Sequence, residues 1–203
     1  PLDVLARWLA EQREAIARQV TVRKTKGAHG ERTKVEIGHR LSCNLPDHGG
    51  WRVTTKRTFL PRSHFSSQAA HFLKTADHGR GRTIYCHDQL LDDDVVAGIT
   101  YHIHDRPGWP VFITTIAFRA DFKGDVELRQ RTVAGAFVLK QYVHAISEAI
   151  GRGGYVHIEV PPNDSVLYAQ ELGFRKAPKL TGLRPSGTHM RQAPLGQSSA
   201  SGG

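Results

Sequence analysis

The run 155–160, YVHIEV, carries two side chains that could take a proton from a substrate. Its residues are mostly β-favouring, and Pro161 and Pro162 follow it, which predicts a strand that ends at residue 160. His157 and Glu159 alternate onto the same face of such a strand. A carboxyl group among valine and isoleucine side chains has a raised pKa, which suits a general base. The pattern leaves one alternative open, a solvated Glu159 that faces outward and has no chemical role.

A third proton acceptor, His104, belongs to one of three clusters that combine histidine with cysteine or aspartate. The clusters are His39 with Cys43, Cys86 with His87 and Asp88, and His102 with His104 and Asp105. Zinc sites carry paired cysteine and histidine at regular spacing, and the chain has only two cysteines. Histidines on a strand more often face solvent than bind a metal. We therefore expect no metal site and keep His104 as a second candidate base.

A long helix is predicted before the strand that carries Glu159. From Ala136 onward, apolar residues recur at the spacing of one buried helical face. Glycines at 151, 153 and 154 predict its end, because glycine adopts the left-handed conformation that a helix C-terminus favours. The small residues in 131–136 predict the turn that opens the helix. After the strand, residues 163–165 are capping residues for a second helix over 166–172, which Gly173 closes.

Two hairpins are predicted upstream of the helix. Residues 95–104 and 111–118 are strand-like runs joined by a turn that contains proline and glycine. Residues 34–43 and 51–59 form a similar pair around the cluster PDHGG. A helix, a strand and a second helix in this order need a sheet to bury their apolar faces. The predicted fold class is α/β (α+β), with a mixed, mostly antiparallel twisted sheet flanked by helices.

One domain with extensions at both ends is predicted from the length of 203 residues. Residues 1–22 predict an amphipathic helix packed on the domain, and residues 21–33 predict a polar loop or mobile arm. Residues 63–76 predict a short helix. The domain proper is expected over 23–180, and residues 181–203, rich in glycine, serine and proline, are expected to be a flexible tail.

The net charge of +9 is the strongest signal in the composition. A basic excess favours polyanions through counterion release, so nucleic acid is a possible partner, and a generally basic solvated surface is the alternative. Two cysteines provide no disulfide framework and suit the reducing cytoplasm. No run approaches the roughly 18 apolar residues that a membrane helix needs, so we expect no membrane partner.

The segment 95–177 resembles the GNAT superfamily of N-acetyltransferases. Three patterns carry the resemblance. The run 111–118 is similar to the central strand of the family. Arg131-x-x-Ala134-x-Ala136 is similar to the family's phosphate loop, Arg/Gln-x-x-Gly-x-Gly/Ala. Asn163, Tyr168, Gly173 and Phe174 are similar to the family's final helix, which ends in Tyr-x-x-x-Gly-Phe after an asparagine.

The resemblance implies a single GNAT-like domain, an acetyl-CoA (or another acyl-CoA) donor, and transfer of the acyl group to an amine. It implies that the backbone of the central strand and the start of the long helix hold the donor, since free amides at a helix N-terminus bind pyrophosphate. The implied donor-binding residues are Ile116, Ala117, Phe118, Arg129, Arg131, Ala134, Gly135, Ala136 and Asn163. The implied general acid is Tyr168, with Ser165 as the alternative hydroxyl, and Glu159 and His104 are the candidate bases.

Three departures from the family pattern keep alternatives open. Tyr168 lies one residue early, so that Ala169 occupies the expected tyrosine position, and Ala134 replaces the first glycine of the loop. In a second register, the run 118–124 matches the end of the family's central strand, with Lys123 in the place of the loop arginine. The alternative functions are a GNAT-fold enzyme that modifies nucleic acid without acetyl-CoA, and a non-catalytic basic module that binds nucleic acid.

Overall fold

The computed structural model describes residues 2–27, 30–38, 40–45, 48–55, 64–66, 81–160, 170–177 and 188–192. The helices with defined bounds in these ranges are α1 (Leu2–Glu11), α2 (Arg13–Arg18) and α3 (Val126–Ala149). The strands are β1 (Val20–Gly27), β2 (Gly30–Ile37), β3 (Arg40–Leu41), β4 (Trp51–Thr54), β5 (Gly81–Asp88), β6 (Asp94–Ile103), β7 (Val111–Phe118), β8 (Val156–Val160), β9 (Arg175–Lys176) and β10 (Thr188–Gln192).

Eight of these strands form one sheet in the order β3-β4-β5-β6-β7-β8-β10-β9. All neighbouring pairs are antiparallel except β7 and β8, which run parallel. Strands β1 and β2 form a separate two-stranded sheet. The structure confirms the predicted fold class, a mixed and mostly antiparallel sheet flanked by helices.

Helix α3 lies at the centre of the molecule. Every residue from 132 to 147 is buried, including polar ones, so the helix is covered on all sides along this length. One side packs on β5, β6 and β7, and another packs on α1 and α2 through Leu5, Leu9 and Ile16. A helix surrounded in this way belongs to the core, and its position fixes the sheet and the N-terminal helices relative to each other.

The predicted start of this helix is wrong by ten residues, because α3 begins at Val126 and not at Ala136. Its first turns are polar and mostly exposed, so they lack the apolar periodicity that marks the rest. The start is set by Asp125, whose side chain caps the first amides. The predicted end is confirmed, since Gly151 and Gly153 have φ angles of 74° and 65° just beyond the last turn.

The N-terminal region differs from its prediction. The single helix expected over 1–22 is two helices with a break at Gln12, and the chain is already a strand at Val20. The loop expected over 21–33 is instead the β1–β2 hairpin, paired in register from Val20↔Ile37 to Gly27↔Gly30. Val20, Val35 and Ile37 are buried at the base of this hairpin, and that apolar alternation extends into the region predicted as a loop.

Both predicted hairpins of the main sheet appear, although the first is shorter than expected. Strands β6 and β7 pair as predicted. In the hairpin predicted over 34–43 and 51–59, Arg40 and Leu41 are the described residues that pair with β4, because residues 34–37 pair with β1. The expectation of a flexible tail over 181–203 is wrong for residues 188–192, which form β10 between β8 and β9. The helix predicted over 63–76 lies outside the described residues, apart from 64–66.

Across the described residues, no helix combines the length and the apolar character needed to cross a membrane.

Candidate functional site

The parallel strands β7 and β8 pair over only three residues and then separate. The pairs are Val111↔Val156, Phe112↔His157 and Ile113↔Ile158. Thr114 follows at a β-bulge, since Thr100 of β6 pairs with Thr115 while Tyr101 pairs with Ile113. The Thr114 hydroxyl donates to the Thr100 carbonyl at 3.2 Å. A bulge bends its strand, and the pairing of β7 with β8 ends directly before it, at Ile113.

Beyond Ile113, the edge of β7 that faces β8 has no strand partner among the described residues. The Arg119 amide donates to the Val96 carbonyl of β6 at 3.2 Å. Because successive strand residues direct their backbone groups to opposite sides, Ile116 and Phe118 point theirs away from β6, toward this open edge. The backbone of Ala117 faces β6 instead, and its side chain is buried.

Residues 64–66 cover the far end of this edge. Phe65 forms an antiparallel bridge with Arg119, and the Ala120 amide donates to the His64 carbonyl at 2.8 Å. The Phe65 side chain is buried among Tyr85, Val95 and Ala117. The open stretch is therefore short, and it runs from Thr114 to Ile116.

The N-terminus of α3 is occupied by a side chain of the protein itself. The Asp125 carboxylate accepts hydrogen bonds from the Glu127 amide at 2.8 Å and the Leu128 amide at 3.1 Å. A helix start with free amides attracts anions, whereas one capped by a carboxylate has its donors in use. The helix start comes directly after residues 118–124, the run of the second register, and not at residues 131–136.

The phosphate loop predicted at residues 131–136 is therefore not at a helix start. These residues lie inside α3, where each amide bonds to a carbonyl one turn earlier. The three small residues of the predicted loop are buried inside the helix: Ala134, Gly135 and Ala136. Their amides are used within the helix, so the predicted contact with a pyrophosphate has no free donors there. A Cβ atom on Gly135 would lie 2.6 Å from Cγ2 of Val96. Glycine at this position lets the helix approach β6 closely.

The arginines near the start of α3 all contact carboxylates of the chain. Arg129 pairs with Glu171 at 3.5 Å. Arg131 pairs with Glu127 at 3.1 Å and with the buried Asp88 at 3.5 Å. Burial raises the pKa of Asp88, and the Leu90 amide and Arg131 oppose that rise. In this structure the two arginines predicted to bind a cofactor therefore form ion pairs within the chain, and that of Arg131 reaches a buried carboxylate.

Of the two predicted catalytic residues within the described ranges, Glu159 and His104, the structure brings Glu159 to the point where β7 and β8 separate. Glu159 directly follows Ile158, the last residue of β8 that pairs with β7. Tyr168 and Ser165 lie outside the described residues, as does Asn163, which was predicted to bind the cofactor.

His104 lies at the other end of β7, in the β6–β7 turn. Its Nδ1 accepts a hydrogen bond from the Arg106 amide at 3.2 Å, and its ring centroid is 4.5 Å from that of Trp109. The neighbouring residue Ile103 pairs with Val111, three positions before Thr114, which is roughly 10 Å along a strand. The structure therefore does not place His104 beside the opening. No group of three or more potential metal ligands occurs among the described residues.

Two further residues lie near the opening: Thr114, which was not in the predicted site, and His157, one of the two proton acceptors predicted on this strand. Thr114 is exposed at the bulge, and His157 is buried on β8 with its ring 5.2 Å from that of Phe112. The sequence does contain a signal for the first, because two adjacent threonines interrupt the apolar strand VFITTIAF. For His157, alternation along the strand identifies the face shared with Glu159, but not the pairing with Phe112.

No protein-family model and no curated protein sequence matches the chain. Solved structures do overlap with it. The ribosomal-protein-S5-alanine acetyltransferase from Vibrio fischeri is 10% identical, covers 77% of this chain and 98% of its own length, and has a TM-score of 0.44. Tetrahymena GCN5 is 17% identical, with coverage of 64% and 81% and a TM-score of 0.44. A mutant AtaT toxin bound to acetyl-CoA and to the C-terminus of the antitoxin AtaR is 13% identical, with coverage of 70% and 91% and a TM-score of 0.46.

All three TM-scores lie below 0.5, so these overlaps carry no argument about function. The description of the fold depends instead on the strand order and on the short pairing of β7 with β8. In its overall course, the chain is similar to solved acetyltransferase structures.

Proposed function

We propose that the chain is an acyl-CoA-dependent N-acyltransferase of the GNAT type, which transfers an acetyl or related acyl group to an amine. The observation that supports this best is the short parallel pairing of β7 and β8, with the bulge at Thr114 and the open edge beyond it. An extended molecule with amide groups can add to such an edge as an extra strand. The pantetheine arm of an acyl-CoA is a molecule of this kind.

In this proposal the edge of β7 holds the donor by its backbone. Ile116 offers its N–H and C=O groups toward the open side, and Thr114 lies exposed at the closed end of the opening. Two fixed backbone hydrogen bonds would set the position of the thioester along the strand. A reactant held in the correct position has a lower activation barrier, because the entropy of orienting it is lost on binding. When bound, acyl-CoA supplies the acyl group in activated form.

The acceptor amine must lose a proton, and we assign that step to Glu159 on the basis of its place at the separation of β7 and β8. Glu159→Gln tests the assignment through the turnover number. Tyr168 and Ser165 remain our proposals for the group that protonates the leaving thiolate, and Asn163 remains a proposed donor contact. An acidic or nucleic-acid acceptor and a cytoplasmic location are likewise proposals, supported by the basic charge and the two free cysteines.

The diphosphate of the donor does not fit the helix start as it stands. Asp125 occupies two of the amides that an anion would use, and the His64 carbonyl occupies the amide of Ala120. A bound diphosphate would have to displace the Asp125 carboxylate. We therefore infer that the edge of β7 contributes more to donor binding than the start of α3 does.

Proline at position 116 tests the open edge directly. Ile116→Pro removes an N–H that points away from β6, so the β6–β7 ladder keeps its hydrogen bonds, as proline on an edge strand allows. We expect acetyl-CoA affinity to fall by about tenfold, the equivalent of one hydrogen bond in a site shielded from water. Isothermal titration calorimetry with acetyl-CoA measures this.

Ile116→Val keeps the N–H and is the matched control, which should bind as the parent chain does. Circular dichroism checks that the proline variant is folded. Equal affinity in the parent and in a folded proline variant would contradict the edge as the donor site. Absence of acetyl-CoA binding to the parent chain, together with no coenzyme A in native mass spectra of the purified protein, would contradict the acyl-CoA proposal as a whole.

Glycine at position 125 tests the occupied helix start. Asp125→Gly removes one negative charge and frees the Glu127 and Leu128 amides, at a small cost to the helix because glycine is tolerated at the N-cap. We expect acetyl-CoA to bind about 5- to 30-fold more tightly, which corresponds to roughly 1–2 kcal/mol for an anion at a helix N-terminus. The same calorimetric titration reads this change.

Glu11→Gln removes a charge of the same sign from exposed surface on α1 and should leave the affinity unchanged. Unaltered affinity in Asp125→Gly would mean that the diphosphate lies elsewhere or remains in solvent.

A further inference from the structure

The hairpin of β1 and β2, which we call the basic ribbon (residues 20–27 and 30–37), is built differently from the rest of the molecule. It forms a two-stranded sheet of its own, with eight residue pairs in register. Its base is held by Val20, Val35 and Ile37, which are buried in the main core. Arg82 of β5 donates to the Thr33 carbonyl and fixes a second point on β2. The ribbon therefore has a fixed direction relative to the domain.

In the outer half of the ribbon (residues 23–34), the side chains that the structure describes lie at the surface, apart from the half-buried Thr33. Arg23, Lys24, Thr25, Lys26 and Lys34 are all exposed. Two strands without a packed face are marginally stable by themselves, so burial of apolar surface does not explain why this hairpin continues past Val22. The length of the outer half therefore points to a role at the surface.

Positive charge is concentrated in this outer half. Five of the twelve residues 23–34 are lysine or arginine and one is acidic, which gives +4 of the +9 carried by the whole chain. Arg23 and Lys34 lie directly opposite each other in the register. Like charges in that arrangement destabilise a strand pair.

Among the described residues, the Glu36 carboxylate partly relieves this repulsion. Glu36 contacts Lys34 at 2.7 Å and Arg23 at 3.8 Å. The Lys34 ammonium, by its hydrogen bond and its charge, lowers the pKa of Glu36, and Arg23 lowers it further. Two cations share one anion at this pair, so a further anion from a partner would stabilise it.

We propose that the basic ribbon binds duplex DNA by entering the major groove, with its cations directed to the phosphates on both walls. This proposal does not depend on the acyltransferase activity. The major groove of B-form DNA, about 12 Å wide and 8.5 Å deep, admits a two-stranded ribbon. The register places Arg23 and Lys34 on one face of the ribbon, and Lys24 and Lys26 on the other. The major groove of an RNA duplex is too narrow and deep for a ribbon, so the geometry favours DNA.

The test compares two variants of the full chain that lose the same charge. The ribbon variant carries Arg23→Gln, Lys24→Gln, Lys26→Gln and Lys34→Gln. The control variant carries Arg7→Gln, Arg18→Gln, Arg175→Gln and Lys176→Gln, four residues exposed on other elements. Fluorescence anisotropy with a labelled 20-base-pair DNA duplex gives the affinity at several salt concentrations between 50 and 200 mM.

We expect the ribbon variant to lose on the order of 10²-fold in DNA affinity at 100 mM salt, and its slope of log affinity against log salt to decrease by about 3 to 4, because each phosphate contact contributes about 0.9. The control variant should keep most of its affinity and its slope. Circular dichroism confirms that both variants are folded. Equal losses in the two variants, tighter binding of the parent chain to an RNA duplex of the same length, or no DNA binding by the parent chain at 50 mM salt would each overturn the proposal.

Discussion

Replacing Gly135 by alanine is expected to lower the free energy of unfolding by about 1–3 kcal/mol, the usual cost of overpacking a filled core. The added Cβ would lie 2.6 Å from Cγ2 of Val96 and 3.5 Å from Sγ of Cys86, and the first distance is too short for contact. Because both neighbours are completely buried, neither can move into open space. Urea denaturation monitored by circular dichroism measures the loss.

The sign of this result is informative because alanine is otherwise favoured over glycine in a helix by about 1 kcal/mol. Gly124→Ala is the matched control, since a Cβ at that position meets nothing within 4 Å. The double variant Gly135→Ala with Val96→Ala should recover stability relative to Val96→Ala alone, because the new methyl group fills the space left by the valine. A glycine that served a phosphate loop would lose ligand binding with the fold intact, and that outcome would contradict the packing role.

The second large effect is expected from Lys140, whose amine is completely buried in the middle of α3. Its Nζ donates to the Leu172 carbonyl and lies 4.0 Å from the centroid of the Phe137 ring. Burial lowers the pKa of Lys140 well below that of a lysine in water. Between this lowered pKa and the unfolded value of about 10.4, the unfolded chain binds more protons than the folded chain, so stability rises with pH.

Lys140→Met should remove that dependence. In this pH window, the free energy of unfolding of the parent chain minus that of the variant should rise by up to about 1.4 kcal/mol per pH unit. Urea denaturation of both chains at successive pH values gives the difference and cancels the titration of groups common to both. Lys176→Met removes the same charge from an exposed strand and controls for net charge. A constant difference between the parent chain and Lys140→Met at all pH values would contradict the lowered pKa.

The sequence alone predicts an element correctly where its apolar periodicity matches the burial seen in the structure. The apolar face of α3 after residue 136 is interrupted by few polar residues, and Gly151 and Gly153 mark its end by a backbone conformation that other residues rarely adopt. The β6–β7 pair alternates around a clear turn. In both elements the residues that determine the structure are close together in the sequence. The predicted end of α3 and the predicted β6–β7 hairpin are therefore confirmed.

The errors occur where partners distant in sequence determine the structure. The first turns of α3 are polar, and only the Asp125 cap and the packing of later turns make them helical. Strand β2 has two possible partners in the sequence, and it pairs with β1 because Val20 and Val22 supply a matching apolar face. The opening between β7 and β8 depends on a bulge, for which the two threonines at 114 and 115 are the only local sign. The turn predicted over 131–136 is wrong for the same reason, since its small residues fit a turn as well as a buried helix.

The place of β10 in the sheet has a consequence for how the chain is made. This strand, the last one described, lies between β8 and β9, both of which leave the ribosome earlier. Until residues 188–192 emerge, one side of β8 stands unpaired beside the diverging β7. The N-terminal helices likewise lack their partners until α3 has been synthesised. The Tyr142 hydroxyl donates to the Gln19 side chain at 2.9 Å, and Glu148 pairs with Arg13. Contacts this far apart along the chain slow folding, so a nascent chain should complete its sheet only after synthesis of this last strand.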